Sequence, residues 1–129
     1  MKILILNGAN LNLLGTREPD IYGSTSMDDV LTYLKSEYSQ HAIEYFQSNF
    51  EGEIIGKIQE NNFDALVINP GAFTHYSYAI ADALKNLRKP KIEVHISNIY
   101  QREEFRQKSV TAAYTDAVLS GFGTEGYRL

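Results

Sequence analysis

Residues Lys2 to Leu6 read KILIL, a continuous β-compatible apolar run that ends at Asn7-Gly8. An unbroken run is the pattern of a strand covered on both faces, as strands of a parallel sheet are. Outward from it the period keeps switching. From Met27 the apolar residues Met27, Val30, Leu31, Leu34 and Tyr38 fall within about 100° on a helical wheel. Ser26 with Asp29 makes a capping-box signature just ahead of them. Ile43 to Gln47 reads as a second strand, and Glu53 to Asn61 as a shorter helix carrying Ile54, Ile55 and Ile58. Ala65 to Ile68 (ALVI) reads as a third strand. Ala79, Ile80, Ala83, Leu84 and Leu87 give another amphipathic helix, followed by a fourth strand over Lys91 to Ile96. Arg102 to Lys108 reads as a short polar helix and Ala117 to Ser120 as a fifth strand.

Strands alternating with helices imply right-handed crossovers and a parallel sheet with helices on both faces. The expectation is an α/β, flavodoxin-like three-layer sandwich with a five-stranded parallel sheet in the order 2-1-3-4-5. With 129 residues and 14.6 kDa, one domain over residues 1–129 is expected. Ligands of such sheets bind beyond the carboxyl ends of the strands, at the switch point between strands 1 and 3. The segments just after strands 1, 3 and 4 are Asn7 to Gly23, Asn69 to Ser77 and His95 to Asn98, and they hold most of the unusual residues.

Composition narrows the chemistry. A hydrophobic content of 43% and charged content of 22% suit a soluble globular chain, and no apolar run approaches the ~20 residues of a membrane span. A net charge of -4 argues against a nucleic-acid surface and for a small-molecule ligand. The chain has no cysteine, which excludes disulfides, thiolate metal sites and cysteine nucleophiles. The N-terminus lacks the features of a signal peptide, so a cytoplasmic location is expected. Gly121 to Gly126 (GFGTEG) matches a dinucleotide fingerprint literally. Only three residues follow it, leaving no crossover helix for a pyrophosphate, and these glycines read better as turn or cap residues. His41, His75 and His95 show no metal-ligand spacing. Neither a nucleotide, a metal nor any other cofactor is expected.

The long loop after strand 1 carries Gly15, Arg17, Pro19, Tyr22 and Gly23 and is placed as a lid would be. Tyr22 suits a phenolate base if a cation lowers its pKa from near 10, and Arg17 on the same loop supplies one. A solvated connector with an incidental Arg and Tyr is the alternative. On strand 4, Glu93 and His95 share a face, so Glu93 is placed to orient or charge-tune the imidazole. A structural histidine bonded inside the sheet is the other reading. Ser97-Asn98 offers backbone N–H groups and a hydroxyl suited to a carboxylate. Asn69, with Pro70-Gly71, occupies the equivalent rim after strand 3, although such segments are ordinary turns when taken singly. His75 sits just before a helix. Arg102 and Arg106 are spaced i, i+4, either as surface partners of Glu103 or Glu104 or, for Arg106, facing the cleft to bind hydroxyls or an anion.

Together these residues closely resemble the type II 3-dehydroquinate dehydratases of the shikimate and quinate pathways. The resemblance rests on five ordered blocks: NGANLNLLGTREPDIYG from Asn7, FQSNFEG from Phe46, INPGAFTHYSYAIADAL from Ile68, EVHISNIYQREEFRQKS from Glu93 and GFGTEGY from Gly121. It implies that Tyr22 is the catalytic base, Arg17 its activating lid residue, Asn10 the holder of an enolate-stabilising water, and His95 the general acid with Glu93 behind it. It further implies that Asn69 and His75 bind hydroxyls, that Ile96 and Ser97 form the carboxylate-binding turn, and that Arg106 contacts the distal ring hydroxyl. Asp82, by its position on the helix a solvated carboxylate, matches a residue that reaches into a neighbouring subunit's site. Two departures stand out: Ala9 replaces the usual proline of the first block, and the sequence stops at Leu129 where members usually continue with a helix.

The function this implies is trans dehydration of 3-dehydroquinate to 3-dehydroshikimate through an enolate, without cofactor, in a homo-oligomer of trimers stacked into a dodecamer. No covalent imine is needed, consistent with lysines that begin strands at the far end of the sheet (Lys2, Lys91), approach strand 4 (Lys89) or lie on helices. The rival is a noncatalytic flavodoxin-like ligand-binding or signalling module. A phosphorylatable receiver wants acidic residues where Asn7 and Asn69 stand, and a flavin module wants a hydroxyl-rich loop where NGANLNLLG stands.

Overall fold

The computed structural model describes residues 1–15 and 25–129. The strands are β1 (Lys2–Asn7), β2 (Ala42–Gln47), β3 (Ala65–Asn69), β4 (Lys91–His95) and β5 (Ala117–Ser120). All pairings are parallel and the order is β2-β1-β3-β4-β5. This is the doubly wound, flavodoxin-like architecture expected, with the reversal of strand order between β1 and β3.

The helices α1 (Met27–Glu37), α2 (Glu51–Glu60) and α3 (Tyr78–Asn86) lie where the periodicity places them, and a one-turn α4 (Glu125–Arg128) follows β5. The capping box at α1 is formed on both sides: Asp29 N–H donates to Ser26 Oγ and Ser26 N–H donates to the Asp29 carboxylate, each at 3.2 Å. Helix α2 stops at Asn61, in the left-handed conformation (φ 54°), which Asn tolerates better than most residues. Ser77 caps α3, accepting from Ile80 N–H at 3.0 Å.

Two cores form on the two faces of the sheet. Leu4, Leu6, Leu66 and Ile68 pack against Ile54 and Ile58 of α2 and Ile80 and Leu84 of α3. On the other face Ile5 packs with Met27, Val30, Leu31 and Leu34 of α1 and with Tyr127 of α4. Beside them an apolar groove of about 310 Å³ runs over Ile43, Val67, Ile92 and Leu119. No helix among the described residues is long and apolar enough to cross a membrane.

One expected element differs. Arg102 to Lys108 is not a single α-helix; 3-10 turns at Ile99–Gln101 and Glu104–Arg106 flank extended backbone at Arg102 (ψ 179°) and Glu103 (ψ 151°). The segment is short and has no apolar stripe to bury. Specific bonds, among them Gln107 Nε2 donating to the Arg102 carbonyl at 2.6 Å, decide its path instead.

Candidate active site

The carboxyl ends of β1, β3 and β4 open into a cleft of about 190 Å³. Its floor depends on a close approach between the exits of β1 and β3. Gly8 N–H donates to the Asn69 carbonyl at 2.8 Å, and a Cβ on Gly8 would lie 2.1 Å from the Pro70 carbonyl oxygen. Only a residue without a side chain fits there. Gly71, at φ +64°, faces the Ala9 carbonyl in the same contact. Asn10 follows in the left-handed region (φ 68°), its N–H held by Asn49 Oδ1 at 2.9 Å.

Asn10, Asn69, His75, His95, Ile96, Ser97 and Arg106, all expected from the sequence, line this one cleft, with Leu11, Leu14 and Arg102 beside them. Asn69 is fixed at both ends of its amide: Oδ1 accepts from Gly71 N–H at 3.1 Å and Nδ2 donates to the Tyr127 hydroxyl at 3.0 Å. That hydroxyl in turn donates to Asn7 Oδ1 at 2.9 Å. Burial pushes the Tyr127 phenol well above its ordinary value, more than the two asparagine bonds lower it, so it stays a neutral donor.

Glu93 is fully buried, one strand pleat from His95. His95 Nε2 lies 2.8 Å from Glu93 Oε2, which also accepts from Ser109 Oγ at 2.8 Å, and Thr111 Oγ1 donates to Oε1. Burial alone would raise the Glu93 carboxyl. The bonds from His95 and Thr111, the His95 charge and the Ser109 bond outweigh it and hold the group below its ordinary 4.5. An ionised Glu93 fixes Nε2–H and leaves Nδ1 as the ring nitrogen that Glu93 does not engage. His75 is fixed by a carbonyl instead: its Nδ1 lies 2.7 Å from the Lys108 oxygen, and since a carbonyl only accepts, Nδ1 carries a proton and Nε2 is the ring nitrogen that this bond leaves unengaged.

Ser97, on the rim after β4, accepts from Arg102 Nη2. The backbone around it is set by the loop after β5, where Gly121 N–H donates to the His95 carbonyl (3.2 Å) and Gly123 N–H to that of Ile96 (2.9 Å). Gly121 and Gly123 therefore serve as turn residues at positive φ. Arg106 pairs with Glu103 at 3.4 Å while lining the cleft. Arg102 reaches the cleft from an extended stretch rather than from a helix face shared with Arg106.

Arg17 and Tyr22 lie outside the described residues. Asp82 is exposed on α3 and does not line the cleft of its own chain. Sequence reasoning missed Thr74, Ser109, Thr111 and Tyr127 as supports of the site. The hydroxyls of Ser109 and Thr111, just before β5, were a signal for those two, and nothing in the spacing pointed Thr74 or Tyr127 toward the site.

A parallel α/β sheet with a polar, histidine-containing cleft at its switch point defines a small-molecule site of the doubly wound class. Comparison with known proteins narrows this to one family. The model for class II dehydroquinases matches residues 1–129. The chain is 54% identical to the 3-dehydroquinate dehydratase of Thermotoga neapolitana, with 100% of this chain and 90% of the relative covered. It is 56% identical to that of Caldicellulosiruptor bescii over 98% and 90% of the two chains. The crystal structure of the type II dehydroquinase from Butyrivibrio crossotus superposes with a TM-score of 0.93 at 51% identity, covering 99% of this chain and 92% of that one. The chain belongs to the class II dehydroquinase family.

Proposed function

We propose that this chain, as one catalytic domain over residues 1–129, dehydrates 3-dehydroquinate to 3-dehydroshikimate, in shikimate synthesis or in quinate breakdown. The observation that carries the reading is the buried Glu93–His95 pair on the wall of a switch-point cleft, in a chain of this family. Ionised Tyr22, activated by Arg17, takes the proton at C2 next to the ketone, and the electron pair of that bond delocalises into an enolate. A water held by Asn10 donates to the enolate oxygen. His95, oriented by Glu93 and acting as general acid, then gives a proton to the leaving hydroxyl as the C–O bond breaks and the enolate pair forms the new double bond. Water and the conjugated enone leave, and proton transfer from Tyr22 to His95 restores the starting state.

Binding divides along the cleft. Ser97 and the backbone at Ile96 suit the substrate carboxylate, while Asn69, His75 and Arg106 suit its hydroxyls. Asp82 acts in a neighbouring subunit's site within trimers that stack to a dodecamer, and the enzyme works in the cytoplasm. The test is direct: purified protein mixed with 3-dehydroquinate should generate the ultraviolet absorbance of the conjugated enone. Absence of that signal with folded protein refutes the assignment and returns the noncatalytic binding module.

A further inference from the structure

The two cleft histidines belong to different elements, yet one connector reaches both. Residues 107–112 place the Lys108 carbonyl on His75 Nδ1, then Ser109 and Thr111 on the two oxygens of Glu93, which holds His95. What fastens this connector is Thr74, fully buried and outside the cleft wall. Its carbonyl accepts from Val110 N–H at 2.7 Å, and its hydroxyl lies 2.8 Å from Ser109 Oγ and 2.7 Å from Thr111 Oγ1.

We propose that Thr74 is a positioning residue for both histidines: its hydroxyl pins the connector to the turn bearing His75 and keeps the Ser109 and Thr111 protons directed at Glu93. The proton count supports this. Each hydroxyl has one proton, and those of Ser109 and Thr111 are spent on the carboxylate, so Thr74 donates into this pair. Ser109 Oγ and Thr111 Oγ1 are themselves 3.1 Å apart. Without the Thr74 donor the hydroxyl that accepted from it is less polarised and held less firmly, and its bond to Glu93, which favours the charged form, weakens. Among the described residues His95 is the titratable group bonded to Glu93, and His75, Arg102 and Arg106 line the cleft that His95 borders. The effect on turnover rests on the activity proposed above, whereas the effect on Glu93 does not.

Thr74→Val removes the hydroxyl at nearly constant shape, and Thr74→Ser keeps it. In Thr74→Val we expect kcat to fall about tenfold, equivalent to about 1.4 kcal/mol, with KM within about twofold of wild type. The Glu93 carboxyl carbon, followed by 13C NMR, should titrate at higher pH. Thr74→Ser should match wild type in both measurements. A folded Thr74→Val that leaves both unchanged overturns the proposal, as does an equal loss in the Val and Ser variants, which would mark a role in packing alone. If Thr74→Val fails to fold, Thr74→Cys, a weak donor, must shift the Glu93 titration and kcat in the same directions, and wild-type behaviour there overturns the proposal. Wild-type protein that does not turn over 3-dehydroquinate refutes the activity and leaves the Glu93 titration to decide the role of Thr74.

Discussion

In the proposed mechanism Tyr22 and His95 act on different bonds of the substrate, and their variants should separate accordingly. Tyr22→Phe removes one oxygen and should nearly abolish turnover while ligand binding persists; wild-type turnover in a direct assay would remove Tyr22 as base. His95→Ala should keep exchange of the C2 hydrogen with solvent, seen by NMR in deuterated buffer, while dehydration falls on the order of a hundredfold or more. Equal loss of both would mean that elimination is concerted or that His95 chiefly orders the site. Glu93 gives a pH prediction. Its folded-state value lies below the ordinary 4.5, so its ionisation contributes stability that is fully present above that value and is lost as pH falls through the folded one. Urea unfolding should show Glu93→Gln less stable than wild type at neutral pH, with the gap closing in acid. A gap independent of pH would contradict an ionised Glu93. The sequence shows Glu93 and His95 on one face because a strand has period two. It does not show Thr74 beneath them, since that contact joins segments whose approach only the tertiary fold decides.

At the scale of elements, the legible parts were those with local causes. KILIL announces a doubly covered strand, and Ser26 with Asp29 announces the start of α1, so Ser26→Ala should cost about 1 kcal/mol in thermal or urea unfolding. The segment Arg102 to Lys108 misled because i, i+4 spacing without an apolar face carries little information. Its path follows from bonds to Ser97 and within the turn. Gly8 shows the opposite case, in which a residue ordinary in sequence is fixed by a neighbour 62 positions away, Pro70. Gly8→Ala should part the exits of β1 and β3, lowering stability by about 3 kcal/mol. Activity should fall even where the variant remains folded, since Asn10 and Asn69 stand on those exits. A variant with wild-type melting and turnover would show that this approach is not needed.

For the whole molecule, the position of Asp82 on the exposed side of α3 makes assembly part of the proposed chemistry. Asp82→Ala should lose activity, and mixing it with Tyr22→Phe subunits should restore part of it, because some hybrid sites recover an intact Tyr22 and a neighbour's Asp82. Sedimentation should show a large homo-oligomer, whereas a fully active monomer at assay concentration would exclude shared sites.

The hydrogen bond from Tyr127 to Asn7 spans 120 positions of the chain. It joins β1 to the single turn of α4, which is synthesised long after it. A nascent chain can pair β1, β2 and β3 as they emerge from the ribosome. Asn69 cannot acquire its final support until residue 127 has cleared the exit tunnel. The candidate cleft is therefore completed only after the sheet has paired, and a chain arrested before Tyr127 emerges carries the strands but no finished cleft.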